Sequence, residues 1–167
     1  MEEAKKIAEQ LNMQHHPEGG YFKETYRSSG EITPENLGSD FTENRNFSTC
    51  IYFLLTSDTF SAFHKIKQDE IWHFYKGSSI KLHIISSEGA YSSVIIGNNL
   101  EKNEIPQFVV KAKDWFAAEV TNKDSYSLLG CTVSPGFDFK DFKLAERNTL
   151  ISKFPKHKTI IEKLTRI

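Results

Sequence analysis

The chain carries no excess charge of either sign: 21 lysines and arginines stand against 22 aspartates and glutamates, with no long run of one sign. Electrostatic attraction to nucleic acid or to an anionic membrane is therefore not expected. No apolar run approaches the length needed to span a bilayer, and the opening MEEAKKIAEQ lacks the apolar core of a signal peptide, so a cytoplasmic location is expected. Cysteine is scarce. Cys50 and Cys131 lie far apart in short apolar runs, which points to buried reduced thiols rather than to a disulfide framework or a metal knuckle. No internal repeat and no low-complexity segment interrupts the 167 residues, a length that suits one domain with one substantial core.

What remains is β-forming and aromatic. Residues 2–12 place Ala4, Ile7, Ala8 and Leu11 at helical spacing, which predicts a short amphipathic helix. HHPEGG at 15–20 breaks it, and YFKETYRSS begins the first strand, where regular pleating puts Phe22, Glu24 and Tyr26 on one face and Tyr21, Lys23, Thr25 and Arg27 on the other. Residues 30–46 turn to Gly, Pro, Asn, Ser and charge without periodicity, predicting a long loop that is the best candidate for a lid. STCIYFLLT at 48–56 is a continuous apolar run of strand length, expected to be covered on both faces. Short strands then recur about every ten residues up to about Ala145, the rhythm of a β-barrel or sandwich. Two helical segments on either side of Pro155 close the chain. The expected organisation is one domain over 1–167, with a β core of about 20–145 and helical extensions at 2–12 and 146–165.

Within the β core, FSAFHKIKQDEIWHFYKG (60–77) concentrates His64, Glu70, Trp72 and His73 on what reads as a hairpin ended by Gly77. A carboxylate in the midst of an apolar strand needs a partner if it faces inward, which singles out Glu70. His73 lies three positions after Glu70, so a regular pleat points the two to opposite faces, and only a bulge would bring them together. Trp72 and Trp115 suit the core better than a ligand platform.

The spacing of His64, Ile66, Glu70 and Gly77 resembles the first cupin motif, His-x-His, three or four residues, Glu, six residues, Gly, with Ile66 in place of the second histidine. KAKDWF (111–116) resembles the second motif, Pro-x-Gly-x-x-His, with Phe116 in place of its histidine. The strings HPEGGYFKETYRS, HKIKQDEIWHFYKG, DWFAAEV and GCTVSPGFDFKDFKLA together resemble a little-characterised group of small cupins, the cupin 5 family, from His16 to about Ala145. This resemblance implies an all-β double-stranded β-helix, the cupin jelly-roll barrel, often packed as a homodimer. It also implies a concave, aromatic-lined pocket for a small polar, carbohydrate-like ligand, lined by His64, Glu70, the inward face with Trp72 and Phe74, Phe116 and either Glu24 or Arg27, with His73 serving either the pocket or a subunit contact or outer-face hydrogen bond.

Metal-dependent cupins use two histidines, the glutamate and the later histidine as ligands. Ile66 and Phe116 cannot bind a metal, so no cofactor is expected. Three functions stay open. The first is a metal-independent isomerase or epimerase with His64 as base beside Glu70, analogous to the cupin sugar-nucleotide epimerases, whose catalytic tyrosine would be Tyr26, Tyr52 or Tyr126. The second is a ligand-binding cupin without catalysis. The third is a metal-dependent cupin with His64, Glu70 and His73 as unusual ligands.

Overall fold

In a computed structural model that describes residues 2–167, two antiparallel sheets face each other around a shared interior. Helix α1 (Glu2–Gln10) precedes β1 (Gln14–His15) and β2 (Tyr21–Arg27). The segment between β2 and the long apolar strand holds β3 (Glu31–Ile32), α2 (Pro34–Leu37) and β4 (Arg45–Asn46). β5 (Thr49–Thr56), β6 (Ser61–Lys65), β7 (Asp69–Gly77), β8 (Ile80–Ile85) and β9 (Tyr91–Ile96) follow. β10 (Gln107–Val110), β11 (Trp115–Val120), β12 (Tyr126–Ser134) and β13 (Lys143–Leu144) complete the barrel, and α3 (Arg147–Lys153) and α4 (Lys158–Lys163) end the chain. One sheet runs β1-β2-β5-β12-β7-β10 and the other β13-β6-β11-β8-β9.

Period-two alternation explains the layers. Phe53 and Leu55 of β5, Trp72 of β7, Leu82 of β8, Phe116 of β11 and Leu129 of β12 point inward and pack one end of the barrel solid. The outward residue Leu54 is also buried, because Ala4 and Ala8 of α1 lie over it with Tyr126. β5 is thus covered on both faces at this point, as its unbroken apolar run implies. On the other sheet, outward Phe63, Ile85 and Trp115 are covered by Leu150 of α3, Phe154, and Ile161 of α4. α3 starts where the Glu146 carboxylate accepts hydrogen bonds from Asn148 N at 3.0 Å and Thr149 N at 2.7 Å, satisfying two free helical N–H groups. Among the described residues no helix is long and apolar enough to cross a membrane.

Three local expectations are corrected. β6 and β7 do not form a hairpin: β6 pairs with β11 and β13, while β7 pairs with β12 and β10. The chain crosses from one sheet to the other between Lys65 and Asp69, so His64 and Glu70 come from opposite walls. In β2 the register shifts between Glu24 and Tyr26, and this bulge turns Arg27 to the side of Phe22 and Glu24 and leaves Tyr26 55% exposed. Residues 30–46 are not one irregular loop. They contain the β3–β4 ribbon, and none of them lines the cavity described below.

Candidate functional site

The end of the barrel that is not packed solid encloses a cavity of about 220 Å³. Its walls come from β2 (Phe22, Glu24, Arg27), β5 (Thr49, Ile51, Phe53), β6 (His64) and β12 (Cys131, Val133). Glu70 of β7 and Ile66 join them, and the connection after β12 supplies Phe137, Asp138, Phe139 and Phe142. This aromatic connection lies along the cavity with Phe139 50% exposed, so it forms a partial cover at the solvent side. It is anchored by a buried ion pair in which Arg45 Nε donates to Asp141 Oδ2 at 2.6 Å and Nη2 to Oδ1 at 2.7 Å. The segment expected to be a lid thus contributes an anchor for the cover instead of the cover itself.

His64 is 2% exposed and has both ring nitrogens engaged. Nδ1 lies 2.8 Å from the Ala62 carbonyl and Nε2 lies 3.0 Å from Glu18 Oε2. A carbonyl and a carboxylate both accept, so the ring satisfies both contacts only when each nitrogen carries a proton. Burial opposes that charge, but the Glu18 carboxylate and its hydrogen bond outweigh burial and hold the imidazolium above its ordinary pKa. Glu18 is equally enclosed. Burial disfavours its charge, yet His64, His16 and a hydrogen bond donated by Ser61 Oγ at 2.8 Å keep the carboxyl below its usual range. His16 Nδ1 accepts from Glu18 N at 3.3 Å, and burial, partly offset by Glu18, pushes this histidine towards the neutral form.

A tight turn places Glu18. Gly19 N donates to His16 O, His16 N to Gly20 O, and Gly19 and Gly20 have φ of 120° and 76°, conformations that favour glycine. A Cβ on Gly19 would collide with the Phe60 carbonyl, so the glycine also permits close approach to the start of β6. Ala62 N then donates to Glu18 O at 2.8 Å, locking the turn onto the strand that carries His64.

Glu70 differs from Glu18. It is 8% exposed, lines the cavity, and has no cationic side chain within ion-pair distance among the described residues. Burial raises its carboxyl to about 7; the His64 charge opposes this and the Glu18 charge adds to it. Beside it, burial and the Glu70 charge push the Cys131 thiol well up, so Cys131 is a neutral neighbour. At the mouth, Arg27 donates from Nε and Nη2 to Glu24 and from both terminal nitrogens to the Phe137 carbonyl, with Nη1 also donating to Asn46.

Of the side chains singled out in the sequence, the structure brings together His64, Glu70, Glu24 and Arg27. Three others stand elsewhere. Trp72 is 1% exposed and lies in the packed end, edge-on to Phe53 and Phe116. Phe116 is buried and packs against the His64 ring at 4.0 Å between centroids, supporting it from behind and not lining the cavity. His73 is on the outer sheet face, where Nε2 meets Thr132 Oγ1 at 3.1 Å. Regular pleating wins there, and the ligand set His64, Glu70 and His73 is not assembled. Among the described residues no three His, Cys, Asp or Glu side chains are placed to hold a metal ion, so the donor set does not fit the metal that many cupins carry. None of Tyr26, Tyr52 and Tyr126 lines the cavity.

Residue-level reading missed His16, Glu18 and the Phe137–Phe142 cover. The available signal for Glu18 was a carboxylate wedged between Pro17 and two glycines, a pattern that forces a turn but does not say what the turn faces.

The description Cupin_5: Cupin superfamily (DUF985) matches residues 5–145. An uncharacterised protein of Saccharomyces cerevisiae, YML079W, is 36% identical over 135 residues, covering 75% of this chain and 67% of the yeast protein. The crystal structure of protein SO0799 from Shewanella oneidensis superposes with a TM-score of 0.88 at 35% identity, covering 98% of this chain and 97% of that one. A hypothetical protein from Leishmania major gives a TM-score of 0.88 at 30% identity, covering 98% of this chain and 99% of that one. Bacillus subtilis oxalate decarboxylase shares the fold alone, at 14% identity and a TM-score of 0.54 over 90% of this chain and 36% of that one.

Proposed function

Because the chain belongs to the Cupin_5 family of the cupin superfamily, whose function is uncharacterised, we propose from its own geometry that the barrel binds a small molecule and moves a proton to or from it. Glu70 is the group that transfers the proton. The observation that carries this reading is the division of labour between the two buried glutamates. Glu18 is ionised and spent on fixing His64 as a cation, whereas Glu70 faces the cavity without an ion-pair partner and is raised to about 7.

A carboxyl poised near neutrality holds appreciable amounts of both acid and base at working pH, the condition under which general acid–base catalysis is most effective. His64 is not the base in this arrangement, because taking up a proton requires a free nitrogen and both are engaged. Its charge lowers the cost of ionising Glu70 and of developing negative charge on a bound ligand. The cavity of about 220 Å³ has mostly aromatic and aliphatic walls, which supports a substrate of ring size; an apolar cavity of about 150 Å³ already accommodates benzene. No step passes through a metal, for which the donor set is unsuited.

The test is wash-in of deuterium from D2O into small carbonyl compounds that bind the barrel, followed by mass spectrometry. Wild-type protein exchanges a proton next to the carbonyl, and Glu70→Gln retains binding but loses the exchange. Exchange that is equal in wild type and variant, or absent for every compound shown to bind, overturns the reading.

A further inference from the structure

The charges around the cavity do not balance in a way that suits an anion. Two cations face it, and both are fully committed. His64 gives its two N–H groups to Ala62 O and Glu18. A guanidinium has five N–H donors, and Arg27 makes hydrogen bonds to Glu24, Asn46 and the Phe137 carbonyl from Nε, Nη1 and Nη2. A carboxylate or phosphate entering the barrel would find no free cationic donor and would have to displace either the buried contacts of His64 or the exposed ones that Arg27 makes at the mouth.

The acidic side is less saturated. Glu24 is paired with Arg27, and Glu18 with His64. Asp138 lines the cavity and its carboxylate accepts only from the backbone of Lys140 among the described residues. Glu70 has no cationic partner. Burial pushes His16 towards its neutral form, and Cys131 is a neutral thiol. The cavity is also lined by Phe22, Phe53, Phe137, Phe139 and Phe142, and a phenyl ring attracts a cation placed over its face.

We propose that the barrel selects small molecules in which a positively charged nitrogen is attached to an apolar ring, and rejects carboxylates and phosphates of the same shape. The nitrogen is held by Glu70 or Asp138 and by the phenylalanine faces, and the ring occupies the apolar volume bounded by Ile51, Ile66 and Val133. The inference rests on the small-molecule reading above and names its ligand class. It has a consequence for protons: a cation bound beside Glu70 favours the ionised carboxyl, so binding near pH 7 releases protons to the buffer.

The experiment uses two matched sets of probes: benzylamine, benzyl alcohol and benzoate, and cyclohexylamine, cyclohexanol and cyclohexanecarboxylate. Binding is followed by methyl NMR shifts of Ile51, Ile66 and Val133, which locate the probe in the barrel. The amines are expected to saturate these shifts at concentrations roughly tenfold lower than the alcohols, the ratio that one added charge contact of about 1.4 kcal/mol gives. The carboxylates are expected to give no saturable shift. Calorimetry of amine binding in two buffers of different ionisation heat should show proton release at pH 7, reduced in Glu70→Gln. Alcohols binding as tightly as amines, or carboxylates binding best, overturns the charge inference and leaves the small-molecule reading standing. An amine preference unchanged in both Glu70→Gln and Asp138→Asn also overturns it. Methyl signals that respond to none of the six compounds remove both readings.

Discussion

Replacing Glu70 by Gln should stabilise the protein in a pH-dependent way, and the size of the effect follows from its burial. The unfolded chain releases this proton near the ordinary 4.5, whereas the folded chain holds it to about 7. As pH rises through that window the unfolded state loses the proton first, so a raised carboxyl pKa costs the folded state stability from 4.5 upward and the cost levels off above 7. A gap of about 2.5 pH units at about 1.36 kcal/mol each amounts to about 3 kcal/mol. Glutamine keeps the shape and removes the titration. The stability of Glu70→Gln relative to wild type should therefore rise by about 3 kcal/mol between pH 4 and pH 8.5, with most of the change between pH 5 and pH 7. For a chain of this length that corresponds to roughly 6–12 °C in Tm. Any hydrogen bond gained or lost by the amide is independent of pH and displaces the whole curve, so the slope is the quantity to read. Urea unfolding of both proteins at half-unit pH steps measures it. A difference that stays flat within about 1 kcal/mol, or one that falls as pH rises, refutes the assignment of a raised carboxyl pKa to Glu70.

Glu18→Gln should cost about 3–5 kcal/mol at pH 6, because it leaves the His64 cation buried without its counter-charge. The His64 ring protons, followed by NMR, should then titrate at lower pH than in wild type, and an unchanged titration would show that Glu18 does not hold the imidazolium. Arg45→Met removes the two-pronged partner of the buried Asp141 carboxylate but leaves Lys67 and Gln68 in contact with it, so it should cost less than an unpaired buried charge, about 1–3 kcal/mol. The same change should speed hydrogen exchange at the Phe139–Phe142 amides relative to the barrel strands. Uniformly faster exchange would argue against a specific anchor for the cavity cover.

The strands were readable because pleating is local: alternation alone places Glu70 and Trp72 inward and His73 outward, and the structure agrees on all three. Alternation gives the face but not the depth along the barrel, which is why Trp72 falls in the packed end while Glu70, two residues away, opens onto the cavity. Arg27 was assignable only as an alternative to Glu24, since on a regular pleat the two face apart; the bulge before Tyr26 brings both in. The crossing from β6 to β7 was hidden for a similar reason. A three-residue connection such as Ile66–Gln68 reads alike whether the strands pair with each other or part to separate sheets.

By itself the sequence determined a mostly β chain with a short N-terminal helix and C-terminal helices, resembling cupin 5 proteins, and that Ile66 and Phe116 stand at two positions at which metal-dependent cupins have histidine. Those are statements about residue identity and local periodicity, and neither depends on distant contacts. Only the tertiary structure decided that Glu18, 46 positions before His64, fixes that histidine as a cation, and that Glu70 is left as the unpaired carboxyl. The protonation state of a buried group is set by what surrounds it in space, and here those neighbours come from a turn, two sheets and a connection that the chain brings together only on folding.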